Sequence, residues 1–385
     1  MLFLNEILTH YNWQGLSLLA IILVLFVVQL YYYTVAYGRI HRFRLTRTHK
    51  RHCQHPAVSV IVVVRGQNEL FLTQELPALL QQSYDTYEVV VVYVGGDLDY
   101  YGELQRVRNQ HSWMRLTKMG GNERIYITSK QAMNVGIKSA QYDNLLFTTT
   151  GATPRTQDWV AMMARGFERG RVVIAPVVPY FEQESLKTYL MRLTELHRQR
   201  NAFALAVVGK PYWAPRCNFG FTRRLYESTR GFDHLNLDIG ENDLYLQAIA
   251  TPRRTAVVMS PNSIVGEEHP SEWREWLDMM RYYDNTEAYY PRSVKSFRRW
   301  EVGSRVLFFL ASIVALVVLP AELKIAVAVV VLARYLAVVL STRKVAKKLG
   351  VTGIALRYWI YDLTSPAIEY IIGARSSHKS PSSWR

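Results

Sequence analysis

Four short apolar runs punctuate the middle of the chain, and stretches with helical spacing of apolar residues separate them. Val58-Ser-Val-Ile-Val-Val-Val64 is continuous and β-branched, as a strand buried on both faces requires. Glu88-Val-Val-Val-Val-Tyr93, Leu145-Leu146-Phe147-Thr148 and Val172-Val-Ile-Ala-Pro-Val177 predict three more strands. Residues 69–82, 100–110, 129–140 and 157–168 predict helices; Trp159, Met163 and Phe167 fall on one face at i, i+4 and i+8. Such alternation implies an α/β, Rossmann-like domain over 57–290, a mostly parallel sheet with helices on both faces. Ligands of such sheets sit beyond the carboxyl ends of the strands, so the residues that follow each strand are the candidates for chemistry.

Two longer apolar blocks flank this region. Residues 16–37 carry no charge and exceed the roughly 20 residues needed to cross a bilayer as a helix. Tyr31, Tyr32 and Tyr33 end the run with rings suited to the headgroup boundary. The stretch 1–15 has Glu6 but no Lys or Arg, and no small-residue cleavage site follows, so the span reads as an anchor. The second block, 306–340, is interrupted at Pro320-Ala-Glu322-Leu-Lys324 and predicts a transmembrane helical hairpin. Arg334 inside its second arm is expected to pack between spans or to snorkel. Residues 351–373 mix aromatics with Arg357, Asp362 and Pro366; they suit a helix in the membrane interface better than a fourth span, an assignment left open within the basic tail 341–385.

Charge sharpens the topology. The chain of 385 residues has 46 Lys and Arg against 31 Asp and Glu, and its net +15 invites a nucleic-acid reading. The basic residues, however, sit beside the apolar blocks: the linker 38–56 carries +6, the segment 291–306 (the linker 291–305 and its boundary) +4, residues 342–349 +4 and residues 374–385 +3, more than the whole net charge. Residues 57–290 hold 25 basic and 26 acidic residues, which removes the electrostatic footprint of a nucleic-acid-binding domain. Since Lys/Arg-rich flanks stay on the cytoplasmic side, the expectation is an integral protein of the plasma or inner membrane with its N-terminus outside and its main domain cytosolic. Two cysteines, Cys53 and Cys217, are too few for a disulfide framework or a multi-cysteine zinc site.

Several landmarks occur in a telling order. Val58-Ser59-Val60-Ile61 is followed by Arg65-Gly-Gln-Asn68-Glu69, and Gln82-Ser-Tyr84-Asp85-Thr-Tyr87 leads into the second strand. Ser129-Lys130-Gln-Ala-Met-Asn134-Val-Gly136 precedes the run from Leu145 to Pro154, with Trp159 beyond. Cys217-Asn218-Phe-Gly220, Gly231-Phe232 and Gly240-Glu241-Asn242-Asp243-Leu244 complete the set. In this order, across about residues 57–282, the chain resembles the membrane-anchored family-2 glycosyltransferases of the GT-A fold. The resemblance implies an inverting, hexosyltransferase-type transfer from a nucleotide-sugar donor. It also implies that Arg65, Asn68 and Glu69 contact the nucleotide.

The resemblance also exposes departures. The acids that end the family's second strand align with Tyr93 and Val94. The DxD metal motif aligns with Thr149-Thr150-Gly151, so the Mg2+ or Mn2+ expected of the family lacks its carboxylate ligands. The QxxRW motif aligns with Asp278-Met-Met-Arg281-Tyr282, which retains the arginine and an aromatic. Glu241 aligns with the family's catalytic Asp, with Asp243 beside it; the competing reading is that both acids cap the helix that follows. Lys130, Arg155 and Arg281 could neutralise the leaving diphosphate in place of a metal, or be ordinary surface cations.

Two functions follow. One is a glycosyltransferase at the cytosolic membrane face, using a lipid-linked saccharide or envelope glycan as acceptor in polysaccharide biosynthesis, with membrane lipids around its spans. The other is a pseudoenzyme, a scaffold or regulator for an active glycosyltransferase partner. The absence of patterned intramembrane acids or broken repeats leaves a channel or carrier without support.

Overall fold

The computed structural model describes residues 13–44, 56–120, 127–229, 231–232, 239–354 and 357–374. The first twelve residues, most of the basic linker with Cys53, and the basic tail from residue 375 lie outside the described residues. The chain forms two units, one drawn mainly from residues 43–290 and one from residues 1–42, 291–347 and 352–370.

In the second of these units the first helix, α1 (Trp13–Leu30), runs through a widened turn at Tyr31–Ala36 to a last segment at Gly38–Arg42. The remaining elements up to residue 290 build the α/β unit. Its strands are β1 (Val58–Arg65), β2 (Tyr87–Val94), β3 (Met114–Met119), β4 (Asn144–Thr149), β5 (Ala152–Pro154), β6 (Val172–Ile174), β7 (Val177–Tyr180), β8 (Phe219–Thr222), β9 (Thr255–Val257) and β10 (Val265–Glu268). Seven of them form one sheet in the order β3-β2-β1-β4-β8-β6-β9, and β5-β10-β7 form a smaller one. β1 pairs in parallel with both β2 and β4, while β8 runs antiparallel to its neighbours β4 and β6. The expected mostly parallel α/β architecture is therefore present.

Burial explains why β1 is central. Val58, Val60, Val62 and Val64 pack on one face with Leu76 and Leu79 of α2 (Leu76–Leu80) and with Trp159 and Met163 further along the chain. On the other face Ile61 and Val92 meet α4 (Ser129–Ser139), which follows α3 (Leu98–Gln110). Helix α4 approaches so closely that a Cβ on Gly136 would come within 2.5 Å of the Ile61 methyl. Both helices start at side-chain caps: Asp97 accepts from the Tyr100 N–H at 2.9 Å, and Thr128 forms a capping box with Gln131. The fifth helix, α5 (Trp159–Phe167), matches its predicted apolar face.

The run 172–177, expected as one strand, is divided between two sheets. Pro176 lacks the N–H that a continuous ladder needs, and the chain passes from β6 to β7 across it. Helix α6 (Leu186–Ala206) escaped the hydrophobic pattern because its buried face carries Glu195, His197, Gln199, Arg200 and Asn201. Gln199 shows the use of such residues, bonding the Val177 N–H at 3.0 Å and the Val177 carbonyl at 2.8 Å. Short helices α7 (Arg223–Ser228) and α8 (Leu244–Ile249) and the amphipathic α9 (Trp273–Asp284) complete this unit.

The helical unit joins α1 with α10 (Arg292–Val318), α11 (Ala321–Lys348) and α12 (Tyr358–Ala374). The segments Trp13–Arg42, Arg292–Val318 and Ala321–Lys348 are long and apolar enough to cross a membrane. The basic segment 291–305 is largely the first half of α10, and α10 and α11 are separated at Leu319 and Pro320. Arg334 packs between helices instead of snorkelling: it is 2% exposed, donates to both Asp362 oxygens and to Gln29, and lies over the Phe308 and Phe309 rings. Arg305 shares Asp362 at 3.6 Å and donates to Ser365 at 2.7 Å.

Two buried guanidinium groups thus share one carboxylate; Arg305 also faces Glu301 at 3.4 Å and Glu369 at 3.7 Å, whereas Arg334 is ion-paired with Asp362. Removing one partner of a buried pair leaves an uncompensated charge, so Asp362→Ala should destabilise the helical unit by about 3–5 kcal/mol, whereas the paired Arg334→Met/Asp362→Leu change should recover part of that loss. Thermal unfolding in detergent, followed by circular dichroism, compares the three chains; equal melting of Asp362→Ala and wild type would refute the dependence.

Candidate functional site

The register of β1 with its neighbours gathers the ends of three strands. Arg65 pairs with Val94 of β2, and Val63 with Thr149 of β4, so these positions share one edge. There a cleft of about 280 Å3 is lined by Arg65, Ser129, Met133, residues 147–150, Arg216, Glu241, Glu267, Glu268 and Tyr283. This is the place at which parallel α/β sheets bind ligands.

Glu241 is 2% exposed and ion-paired with Arg216, a residue without a role in the sequence reading although it immediately precedes the Cys217-Asn218 landmark. Arg216 also lies over the Tyr283 ring at 5.5 Å. Burial would lower its pKa, yet the net direction is upward because the Glu241 charge stabilises the guanidinium. Asp243 has a different assignment. It accepts from the Leu244 N–H at the start of α8 and from the Thr286 and Tyr290 hydroxyls, the last at 2.7 Å. Burial raises its pKa, opposed by those hydroxyls and by the Leu244 N–H. The two neighbouring acids therefore divide: Asp243 is saturated by capping and hydroxyl bonds, and Glu241 lines the cleft.

The other predicted positions are dispersed. Arg65 is exposed at the cleft mouth. The Asn68 side chain accepts from the Phe71 N–H at 2.8 Å and so fixes the turn after β1, with exposed Glu69 beside it. Lys130 is buried near the start of α4, Arg155 donates to the Gly350 carbonyl at 3.2 Å, and Arg281 pairs with Asp278 at 2.9 Å. None of these three cations is among the residues lining the cleft; among the described residues the cations that do line it are Arg65 and Arg216. Tyr93 is fully buried, with its ring stacked on Tyr101 at 5.9 Å and tilted against Tyr100 at 5.6 Å, next to half-buried Val94.

Acids approach the aligned DxD position from other elements. Gly151, at φ +80°, donates its N–H to Glu75 at 2.9 Å and accepts from the Glu268 N–H at 2.7 Å. Glu75 ends a widened helical turn, Phe71–Glu75, and is 2% exposed. Glu267, the neighbour of Glu268 on β10, accepts from His269 at 3.1 Å. No periodicity marks these residues, because Glu75 and β10 reach the site only through the tertiary fold. They do not make a metal centre: Thr149, Thr150 and Gly151 offer neutral oxygens and a backbone turn, and among the described residues no group of three or more His, Cys, Asp or Glu is arranged to hold an ion. The residues present do not fit the divalent cation expected from the resemblance.

No family model matches the sequence, and no curated protein does. Among solved structures, the mannosyltransferase PcManGT from Pyrobaculum calidifontis, determined in complex with GDP-Man and Mn2+, is similar with a TM-score of 0.54 and 16% identity, over 90% of this chain and 99% of that one. The TarS 1-349 structure from S. aureus is more distant, with a TM-score of 0.40 and 14% identity over 81% of this chain and 91% of that one. The likeness to PcManGT establishes a glycosyltransferase fold.

Burial pushes the Glu75 carboxyl up to about 7, with the Gly151 N–H holding it back and the nearby Glu268 charge adding to the rise. In the unfolded chain the same group ionises near 4.5, so the unfolded state releases its proton first and wild-type stability falls as pH rises from about 4.5 to about 7. Glu75→Gln removes that slope. Its stability relative to wild type should therefore increase between pH 5 and pH 8, by roughly 3 kcal/mol at most. Melting curves of both chains at those two pH values measure the change, and a pH-independent difference would contradict it.

Proposed function

We propose that this chain is a family-2-like glycosyltransferase that moves a sugar from a nucleotide-sugar donor to a lipid-linked or envelope-glycan acceptor at the cytosolic face of the plasma or inner membrane. The observation that carries this reading is the ion pair of half-buried Arg216 with buried Glu241 in a cleft at the carboxyl ends of β1 and β4. The domain limits expected from the sequence, with 57–290 as the transferase domain, and the cytosolic orientation belong to the same proposal, supported by the basic flanks of the apolar helices.

The chemistry needs a base for the acceptor hydroxyl and compensation for the leaving diphosphate. Glu241 takes the proton as the acceptor oxygen attacks the anomeric carbon from the face opposite the diphosphate. The sugar–phosphate bond breaks, the nucleoside diphosphate departs with the bonding electrons, and the configuration inverts. Arg65 and Arg216 are the cations positioned to meet that charge, through the paired N–H geometry that suits phosphate. Arg216 then has two partners to choose between. A bound diphosphate competes with Glu241 for the guanidinium, and drawing Arg216 away leaves the carboxylate free to accept a proton.

A second reading, the pseudoenzyme that scaffolds an active partner, is favoured by one observation. Tyr93 stands where the family has an acid and is stacked into the core against Tyr101. Nucleotide binding separates the two readings. GDP-mannose, the donor bound by PcManGT, is the first probe in a panel of nucleoside diphosphate sugars. On the transferase reading, wild type in nanodiscs turns over one donor and keeps that activity in EDTA. Glu241→Gln should lower turnover by roughly 10²–10⁴-fold while donor binding tightens, because the carboxylate charge that competes for Arg216 is gone. Arg216→Ala should weaken donor binding by roughly tenfold or more. Absence of both binding and turnover across the panel would leave the scaffold reading.

A further inference from the structure

The outer face of α10 carries a groove of about 610 Å3 whose lining runs from Arg292, Lys295 and Arg299 through Trp300 to Gly303 and Leu307. We propose that this groove seats one anionic glycerophospholipid of the surrounding bilayer. The assignment rests on the helical unit lying in a membrane and not on the sugar-transfer reading.

The order of the residues is the argument. Positions 292, 295, 299, 303 and 307 recur at three and four residues, so they form one continuous stripe along the helix. Its chemistry changes in the direction that a phospholipid changes. Three cations come first and offer charge-assisted bonds to a phosphodiester. Ser296 lies among these cations, one residue after Lys295, and Trp300 follows at the level of the glycerol and ester groups, 65% exposed and amphipathic, as residues of the interfacial belt are. Gly303 then leaves a gap, since a Cβ there would meet nothing within 4 Å, and Leu307, 53% exposed, continues it at the apolar level. At about 1.5 Å per residue the cationic stretch 292–299 spans roughly 10 Å and the stretch from Trp300 to Leu307 roughly another 10 Å, of which the apolar part from Gly303 is about 6 Å, a headgroup and glycerol level followed by the start of an acyl chain.

Charge complementarity selects an anionic lipid. No acid is among the described residues that line the groove, and Glu301, the one acid of α10, is fully buried on another face beside Arg305 at 3.4 Å. The lining itself is therefore positive toward a headgroup. A diffuse basic belt would attract such lipids without holding one; the gap at Gly303 distinguishes a seat from a belt.

The test uses the full chain in detergent micelles, with bound lipid counted by native mass spectrometry. Phosphatidylglycerol should be retained as a single molecule at least tenfold better than phosphatidylcholine. Arg292→Gln/Lys295→Gln/Arg299→Gln should abolish that preference, whereas Arg343→Gln/Lys344→Gln on α11 should keep it. Gly303→Leu changes no charge but fills the groove, and it should reduce retention several-fold with unaltered melting. Inorganic phosphate at millimolar concentration should not displace the lipid. The proposal is overturned by equal retention of the two lipids, by an unaffected Gly303→Leu chain, by equal losses in both charge variants, or by displacement with phosphate alone.

Discussion

Parallel pairing of β1 on both of its edges is the constraint on which the α/β unit depends. A strand flanked on both sides and covered on both faces must be apolar throughout, and Val58–Val64 satisfies this apart from Ser59. That serine is buried but donates to Glu88 on the adjacent β2, so its hydroxyl is not left without a partner. The pairing also fixes where the strands end. Arg65, Val94 and Thr149 arrive at one edge because the register brings them there, and the cleft forms beyond them.

Both units place charges out of water, and in each the compensation is local. In the helical unit Asp362 serves Arg334 and Arg305, with Gln29 and Ser365 taking further guanidinium N–H groups. In the α/β unit Arg216 pairs with Glu241, Arg198 with Asp284 at 3.1 Å, and His269 with Glu267. Desolvation makes such pairs weak sources of stability but strong determinants of geometry, since each charge penalises any arrangement that separates it from its partner. Near the cleft this has a chemical consequence. A carboxylate held by a guanidinium is positioned without being consumed, unlike Asp243, whose oxygens are engaged by two hydroxyls and a helix N-terminus.

Legibility of the sequence followed hydrophobic contrast. β1, β2, β4 and α5 were readable because their buried residues are apolar and their periods differ. α6 was not, because a helix that buries Glu195, Gln199 and Arg200 has no apolar stripe to detect. The site was partly readable for a related reason. Glu241 sits in a local Gly-Glu-Asn-Asp signature, but the side chains around it come from β1, β4, β10 and the segment before β8, and no local pattern announces that they converge. Thr149, Thr150 and Gly151 were readable as a departure, while the acids that stand near them, Glu75 and Glu268, were invisible until the chain had folded.

The sequence by itself determined the alternation of strands and helices, the three apolar helices and the concentration of positive charge at their ends, because burial and membrane insertion act on residue type over short windows. The tertiary structure decided which cations line the cleft, which of two adjacent acids faces it, and that Arg334 is paired rather than snorkelling. Those outcomes depend on distances between residues far apart in the chain, such as Arg334 and Gln29 or Gly151 and Glu75, and only the packed fold sets such distances.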